Sequence, residues 1–125
     1  MSDKLYIEPT DVTPEITFDS VELKFVIKGR SMPENAEMFY EPVHDWFRNQ
    51  FSERSVEAVV DVNLEYYNTG SFIRIMGLFN VLGELNEKGN QFRVRWICQA
   101  EDEDNVADGQ SFKEVVKIPF DIIEI

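Results

Sequence analysis

The stretch that most constrains the fold is SVEAVVDVNLEYYNTGSFIRIMGLFNVL, residues 55–82. Val56, Ala58, Val60, Val62 and Leu64 recur at every second position, the period of a strand with one buried face. Val59 adds apolar character to the other face, so the strand is expected at the centre of a sheet. After Tyr67 the period changes. Phe72, Ile75, Met76, Phe79 and Leu82 form a helical stripe, widened by Ile73, Leu78 and Val81. A helix with so broad an apolar face must lie against a sheet. A central strand running directly into such a helix opens a crossover connection, which implies an α/β layered fold.

The rest of the chain supplies the other layers. KLYIEPT reads as a short first strand or arm, and PEITFDS as a second strand with Ile16 and Phe18 on one face. After a polar break at Asp19-Ser20, VELKFVIKGR alternates with Val21, Leu23, Phe25 and Ile27 on one side. The pair reads as a β-hairpin, with Gly29 ending its second strand. In SMPENAEMFYEPVHDWFRNQF, Ser31 and Glu34 have capping-box spacing and Pro33 suits a first turn. Phe39, Val43, Trp46, Phe47 and Phe51 follow helical spacing, which predicts a helix over roughly 34–52. Pro42 lies inside it and predicts a bend near residues 38–42. Gly89 is placed to take a left-handed conformation after the second helix. QFRVRWICQA is a strand, a short third helix is expected near 105–116, and KIPFDIIEI is a terminal strand. The predicted order is β-β-β-α-β-α-β-(α)-β, a single α/β domain over residues 1–125. Its mixed sheet has an N-terminal β-hairpin at one edge, two main helices and a short third.

Charge narrows the functional classes. The chain has 24 acidic residues against 12 basic ones, for a net charge of −12. Nucleic acids and anionic membranes attract Lys/Arg patches, so neither is an expected partner. The charge suits docking on basic protein surfaces and favours a monomer. No apolar run approaches the ~20 residues of a membrane span, and MSDKLYIEPT lacks the apolar segment of a signal peptide. With its one cysteine, Cys98, expected as a buried small hydrophobe in a strand, the chain reads as cytoplasmic.

Few residues carry chemistry. His44 and Cys98 are the sole histidine and cysteine, so a zinc site has no ligand cluster and no cofactor is expected. There is no GxGxxG or GxxxxGK[ST] segment to cradle a phosphate. The acidic run Glu101, Asp102, Glu103, Asp104 and Asp108 lacks the calcium-loop pattern and reads as a solvated loop. What remains is Asn68-Thr69-Gly70-Ser71, a polar junction with two hydroxyls at the start of a helix. Asn, Thr and Ser are favoured N-caps. A helix N-terminus also tolerates a phosphate, because its first N–H groups lack partners and carry partial positive charge. The junction therefore reads either as a cap or as a phosphorylation switch.

VVDVNLEYYNTGS followed by FIRIMGLFNVL resembles the SiaC-type regulatory phosphoproteins of bacteria, whose fold is like that of anti-sigma-factor antagonists (STAS domains). SMPENAEMF matches that family's small-x-Pro-Glu-Asn segment ahead of the first helix. LEYYNT matches its Leu-x-Tyr-x-Asn-Thr segment, and the N-terminal hairpin and RVRW strand extend the likeness over nearly the whole chain. The resemblance implies a non-enzymatic switch protein. A kinase of the histidine-kinase-like ATPase fold phosphorylates it, and a metal-dependent Ser/Thr phosphatase reverses the modification. The unmodified form binds and activates a diguanylate cyclase, in cyclic-di-GMP and biofilm signalling. The acceptor falls on Thr69. Gly70 stands where a second small hydroxyl residue is common, which leaves Ser71 as the fallback.

The expected partner surface comprises Tyr66, Tyr67, Asn68, Gly70, Ser71 and Phe72, joined by Pro33, Glu34 and Asn35. For Phe72 core packing is an equal alternative, and for Pro33, Glu34 and Asn35 a role in starting the helix is preferred. An anti-sigma-factor antagonist is the second reading within the same fold. A small-molecule-binding domain is the alternative of another class.

Overall fold

A computed structural model describes residues 2–125. In chain order the elements are β1 (Lys4–Ile7), β2 (Glu15–Asp19), β3 (Lys24–Ser31), α1 (Ala36–Phe51), β4 (Glu57–Tyr67), α2 (Thr69–Glu87), β5 (Gln91–Cys98), α3 (Glu103–Val115) and β6 (Phe120–Glu124). The predicted order of elements holds throughout. The strands form one six-stranded sheet in the order β1-β2-β3-β4-β5-β6. The β1-β2-β3 edge is antiparallel, while β3 through β6 run parallel.

Each of the three crossovers advances the sheet by one strand in the same direction. Right-handed crossovers of that kind place every helix on one face. Burial agrees: Ala58, Val60, Val62 and Leu64 of β4 are buried, while Glu57 and Glu65 are exposed. The core between sheet and helices is rich in aromatic rings. Phe18, Phe25, Trp46, Phe47, Phe51 and Phe92 interlock under α1. Trp96, Phe79, Phe112 and Phe120 do the same under α2 and α3. Edge-to-face packing of such rings adds to the burial of their area.

The opposite face of the sheet is open and internally neutral. Lys4, Lys24, Lys28, Arg30, Arg93 and Arg95 stand there against Glu15, Asp19, Glu57, Asp61, Glu65 and Asp121. Most are paired, the firmest pair being Arg95 bidentate on Asp61 with both bonds at 2.7 Å. With cations and carboxylates balanced on that face, the net charge of −12 falls on the helices and loops.

Three local expectations are corrected. Ser31 and Glu34 do not form a capping box. Ser31 ends β3 and is buried, and Asn35 is the N-cap of α1, accepting from the Met38 N–H at 3.0 Å. The hairpin break is longer than Asp19-Ser20. Residues 20–23 form the turn, with Leu23 at φ 56°, and Val21 is exposed rather than inward-facing. Asp19 Oδ1 stabilises the turn by accepting from the N–H groups of Val21 and Glu22. Finally, β3 does not end at Gly29. It continues to Ser31, and the register shift falls between Gly29 and Arg30.

Helical structure continues unbroken through Pro42, whose side of α1 faces solvent. Gly89 takes φ 116°, and the Gly89 and Asn90 N–H groups close on the Asn86 and Leu85 carbonyls, a Schellman ending for α2. α3 starts two residues earlier than expected. Asp102 caps it and accepts from Asn105 N–H, with Glu103 and Asp104 in its first turn. The acidic run is thus no plain loop: it is placed at the helix end that favours negative charge.

Two outcomes are expected. Val60 is fully buried in the central strand, so Val60→Asp buries a charge without a partner and should abolish cooperative folding. A thermal melt by circular dichroism checks this, and a wild-type melting curve would refute the strand assignment. His44 Nε2 lies 2.9 Å from the Arg74 carbonyl, in the seam between α1 and α2. Burial pushes its pKa below the ordinary histidine value. The unfolded chain therefore takes up a proton that the native state resists, and stability should fall as pH drops below roughly 6.5. Melting His44→Gln alongside wild type across that range should show a weaker pH dependence in the variant. Parallel curves would contradict a half-buried ring that resists protonation.

Candidate functional site: the junction of β4 and α2

The junction sits where the carboxyl ends of the parallel strands meet the helix N-termini. Asn68 has extended backbone, φ −89° and ψ 174°, and is the N-cap of α2. Its side-chain oxygen accepts from the Ser71 N–H at 2.9 Å, and its carbonyl accepts from the Phe72 N–H at 3.0 Å. Its own N–H donates to the Ser31 carbonyl at 3.0 Å, which ties the junction to the end of β3. Asn68 thus performs the capping, and Thr69 stands at the first helical position, exposed. No partner within the described residues takes the Thr69 or Gly70 N–H, as expected for the first turn of a helix.

Ser71 has a different fate. It is fully buried, its hydroxyl donates to the Ser31 carbonyl at 2.9 Å, and it accepts from the Ser31 hydroxyl at 2.7 Å. The Tyr40 hydroxyl joins the group 2.6 Å from Ser31 Oγ, and burial pushes its pKa up to about 12. Of the two junction hydroxyls only that of Thr69 is exposed, and Ser71, the fallback acceptor, is enclosed in the fold. Gly70 lies between them because α1 comes close: a Cβ there would stand 3.3 Å from Ala36 Cβ.

The flanking residues divide in the same way. Tyr66 is 52% exposed, and Ile73, one helical turn beyond Thr69, is 57% exposed. Together they give the junction an apolar rim. Tyr67 and Phe72 are half-buried and largely committed to packing. Tyr67 packs edge-on against Trp96, and Phe72 stacks on Phe112 with centroids 4.5 Å apart. The Tyr67 hydroxyl donates to Asp108 Oδ2 at 2.6 Å. Burial first, and that carboxylate second, push its pKa far above the ordinary tyrosine value. Glu34 and Asn35 are exposed at the start of α1, whereas Pro33 is buried, which removes it from any docking surface and leaves it in the helix start.

Carboxylates surround the site. Glu37, paired with Arg74 at 3.4 Å, lies on the α1 side. Asp102, Asp104 and Asp108 line a cleft with Tyr66 and Tyr67 on the α3 side. Cys98 is buried as expected, and its thiol pKa is raised by burial and then by Glu124 and Asp102. Among the described residues no group of His, Cys, Asp and Glu is arranged to hold a metal, and no helix is long and apolar enough to cross a membrane.

Sequence reasoning missed Ser31 and Tyr40 as parts of this site. Both carried a signal. Ser31 continues the inward phase of Phe25, Ile27 and Gly29, and Tyr40 shares a helical stripe with Val43, Phe47 and Phe51.

Comparisons with known proteins agree with this architecture. Residues 7–125 match the family model described as SiaC family regulatory phosphoprotein. The structure of apo-SiaC from Pseudomonas aeruginosa superimposes with a TM-score of 0.85 at 31% identity, covering 98% of this chain and 99% of that one. SiaC of the same organism, solved in complex with the diguanylate cyclase SiaD that it activates, gives a TM-score of 0.89 at 27% identity over 97% and 99% of the two chains. An uncharacterized protein of P. aeruginosa strain UCBPP-PA14 is 30% identical over 122 residues, 98% of this chain and 96% of its own length.

Fold and likeness together define a small α/β protein of a regulatory class. More narrowly, the chain belongs to the SiaC family.

Because Asn68 is the cap, Asn68→Ala should destabilise the protein by about 0.5–2 kcal/mol, while Thr69→Ala should leave stability nearly unchanged. Urea unfolding of both variants tests the assignment. Equal losses, or a larger loss at Thr69, would place the cap elsewhere.

Proposed function

We propose that this protein is a regulatory phosphoprotein, without catalytic activity of its own, switched by reversible phosphorylation of Thr69. Its unmodified form binds and activates a diguanylate cyclase, in cyclic-di-GMP and biofilm signalling. The observation that carries the reading is the contrast between the two junction hydroxyls: Thr69 is exposed at the first position of α2, while Ser71 is buried. A phosphate on Thr69 would find unpaired N–H groups and the positive end of the helix beside it, so the fold tolerates it. The modification adds about −1.5 to −2 charges. It places a strongly hydrated group among Tyr66 and Ile73, where a partner would make apolar contact. Burying that group in an interface carries a large desolvation cost.

The kinase of histidine-kinase-like ATPase fold and the metal-dependent phosphatase follow from the family resemblance. The cyclase reading is supported by the SiaD complex of the P. aeruginosa relative; that relative favours it over an anti-sigma-factor antagonist. A small-molecule role has less support. The cleft of about 390 Å³ at the carboxyl ends of the strands is bordered by Glu15, Lys28, Asn63, Glu65, Gln99 and Asp102, and Lys28 and Glu15 are paired with each other at 3.8 Å. Ligand pockets fix their occupant with polar groups that converge on it.

Peptide mass spectrometry of the protein taken from its native cells should map a substoichiometric phosphate to Thr69 and none to Ser71. In pull-downs with a diguanylate cyclase of the same cells, Thr69→Ala should bind as unmodified wild type does. Thr69→Asp should bind more weakly by roughly tenfold or more, at least 1.4 kcal/mol. No phosphate under any growth condition, with both variants binding like wild type, would return the junction to a plain helix cap.

A further inference from the structure

Three buried hydroxyls beneath the junction are joined in one hydrogen-bonded chain. Ser31, Tyr40 and Ser71 are each fully buried, and they come from β3, α1 and α2. Each hydroxyl has one proton to donate. Ser71 spends its proton on the Ser31 carbonyl and Ser31 spends its own on Ser71 Oγ. Tyr40 must then be the donor in its 2.6 Å bond to Ser31 Oγ. The chain has a single direction, from Tyr40 through Ser31 to Ser71, and ends on a carbonyl. That carbonyl also receives the Asn68 N–H, so both of its acceptor positions are filled. Asn68 in turn holds the Ser71 N–H. The segment 68–71 is therefore fastened at both ends to one atom of β3, and between the fastenings Thr69 alone projects a side chain.

We propose that Ser31, Tyr40 and Ser71 are positioning residues for Thr69. Their hydroxyl chain holds the acceptor at one place and angle relative to α1, so that a modifying enzyme and a docking partner meet the same geometry. The chain also links the second turn of α1, at Tyr40, to the first turn of α2, which makes the exposed Glu34–Asn35 corner and Thr69 parts of one rigid surface. This inference rests on the reading of Thr69 as the phosphoacceptor, and the test separates the two.

Tyr40→Phe removes one oxygen and keeps the ring, and Ser71→Ala removes the last donor. Ile16→Val, at a fully buried position of β2, two strands from β4, serves as a control for a general loss of core stability. Amide hydrogen exchange by NMR is followed at Asn68, Ser71 and Phe72, whose N–H groups are bonded at the junction, and at Val94 and Trp96 in β5. In parallel, phosphate occupancy of Thr69 is measured in the native cells. Both hydroxyl variants should speed exchange at the three junction amides by roughly tenfold or more relative to β5, and Thr69 occupancy should fall. Ile16→Val should do neither. If exchange rises uniformly across the molecule, or if the control behaves alike, the hydroxyls are ordinary core contacts and the proposal fails. Should Ser71→Ala not fold, Tyr40→Phe alone decides. Local loosening with unchanged occupancy of Thr69 would also overturn the positioning role. Wild-type protein with no phosphate on Thr69 would overturn the acceptor reading instead.

Discussion

Every crossover in the parallel part of this sheet moves forward by one strand and turns to the same hand, and the placing of the β4–α2 junction follows from that constraint. Each helix begins where a strand finishes, so β3, β4 and β5 deliver the N-termini of α1, α2 and α3 to one edge. There the chain repeats one local solution. Asn35, Asn68 and Asp102 each cap a helix and accept from the N–H three residues on, in Met38, Ser71 and Asn105. Three helix ends on one edge concentrate unpaired N–H groups and partial positive charge. The acidic side chains of the first turns, Glu37, Glu103 and Asp104, are favoured there by that partial positive charge.

That edge is held from below by polar groups buried in an aromatic core. Asn105 donates to the Leu64 carbonyl and accepts from Trp96 Nε1, which joins α3 to β4 and β5. Asn90 does similar work at the far end of α2, bonding Val56 N–H and the Phe51 and Leu85 carbonyls. Buried polar groups are costly when unpaired, and among the described residues no buried side-chain polar atom lacks a partner. These contacts specify where helices start and stop, whereas the aromatic rings supply the bulk of the burial.

Much of this was legible in the sequence. Alternation in EAVVDVNLEYY and the broad apolar face of α2 gave the central crossover, and the order of every element followed from the same periodicities. Two of the differences share a cause. Ser31 and Ser71 are polar residues inside the protein, and pattern reading assigns polar residues to caps, loops and surfaces. Ser31 resembles a cap because capping boxes are written in the same letters. The turn at 20–23 has another origin: Val21 and Leu23 continue the alternation in composition, although Leu23 adopts a left-handed backbone that ends it. The split of charge between a neutral sheet face and an acidic helical side was beyond any one-dimensional reading. It depends on which strands become neighbours.

The fate of the two junction hydroxyls was within reach once the helix was placed. Successive residues of an α-helix are turned by about 100°, so Thr69 and Ser71 point in nearly opposite directions. If one faces solvent, the other faces the core. Ser71 lies one turn before Ile75 and two turns before Leu78 on the buried side, and Thr69 lies one turn before the exposed Ile73. The apolar stripe of the helix thus decides which hydroxyl an enzyme can reach. At position 70 a Cβ would stand 3.3 Å from Ala36 Cβ, so α1 would have to give slightly to admit a side chain there. A glycine eases the approach of α1, and the burial of Ser71 beside it leaves Thr69 as the accessible hydroxyl of the pair.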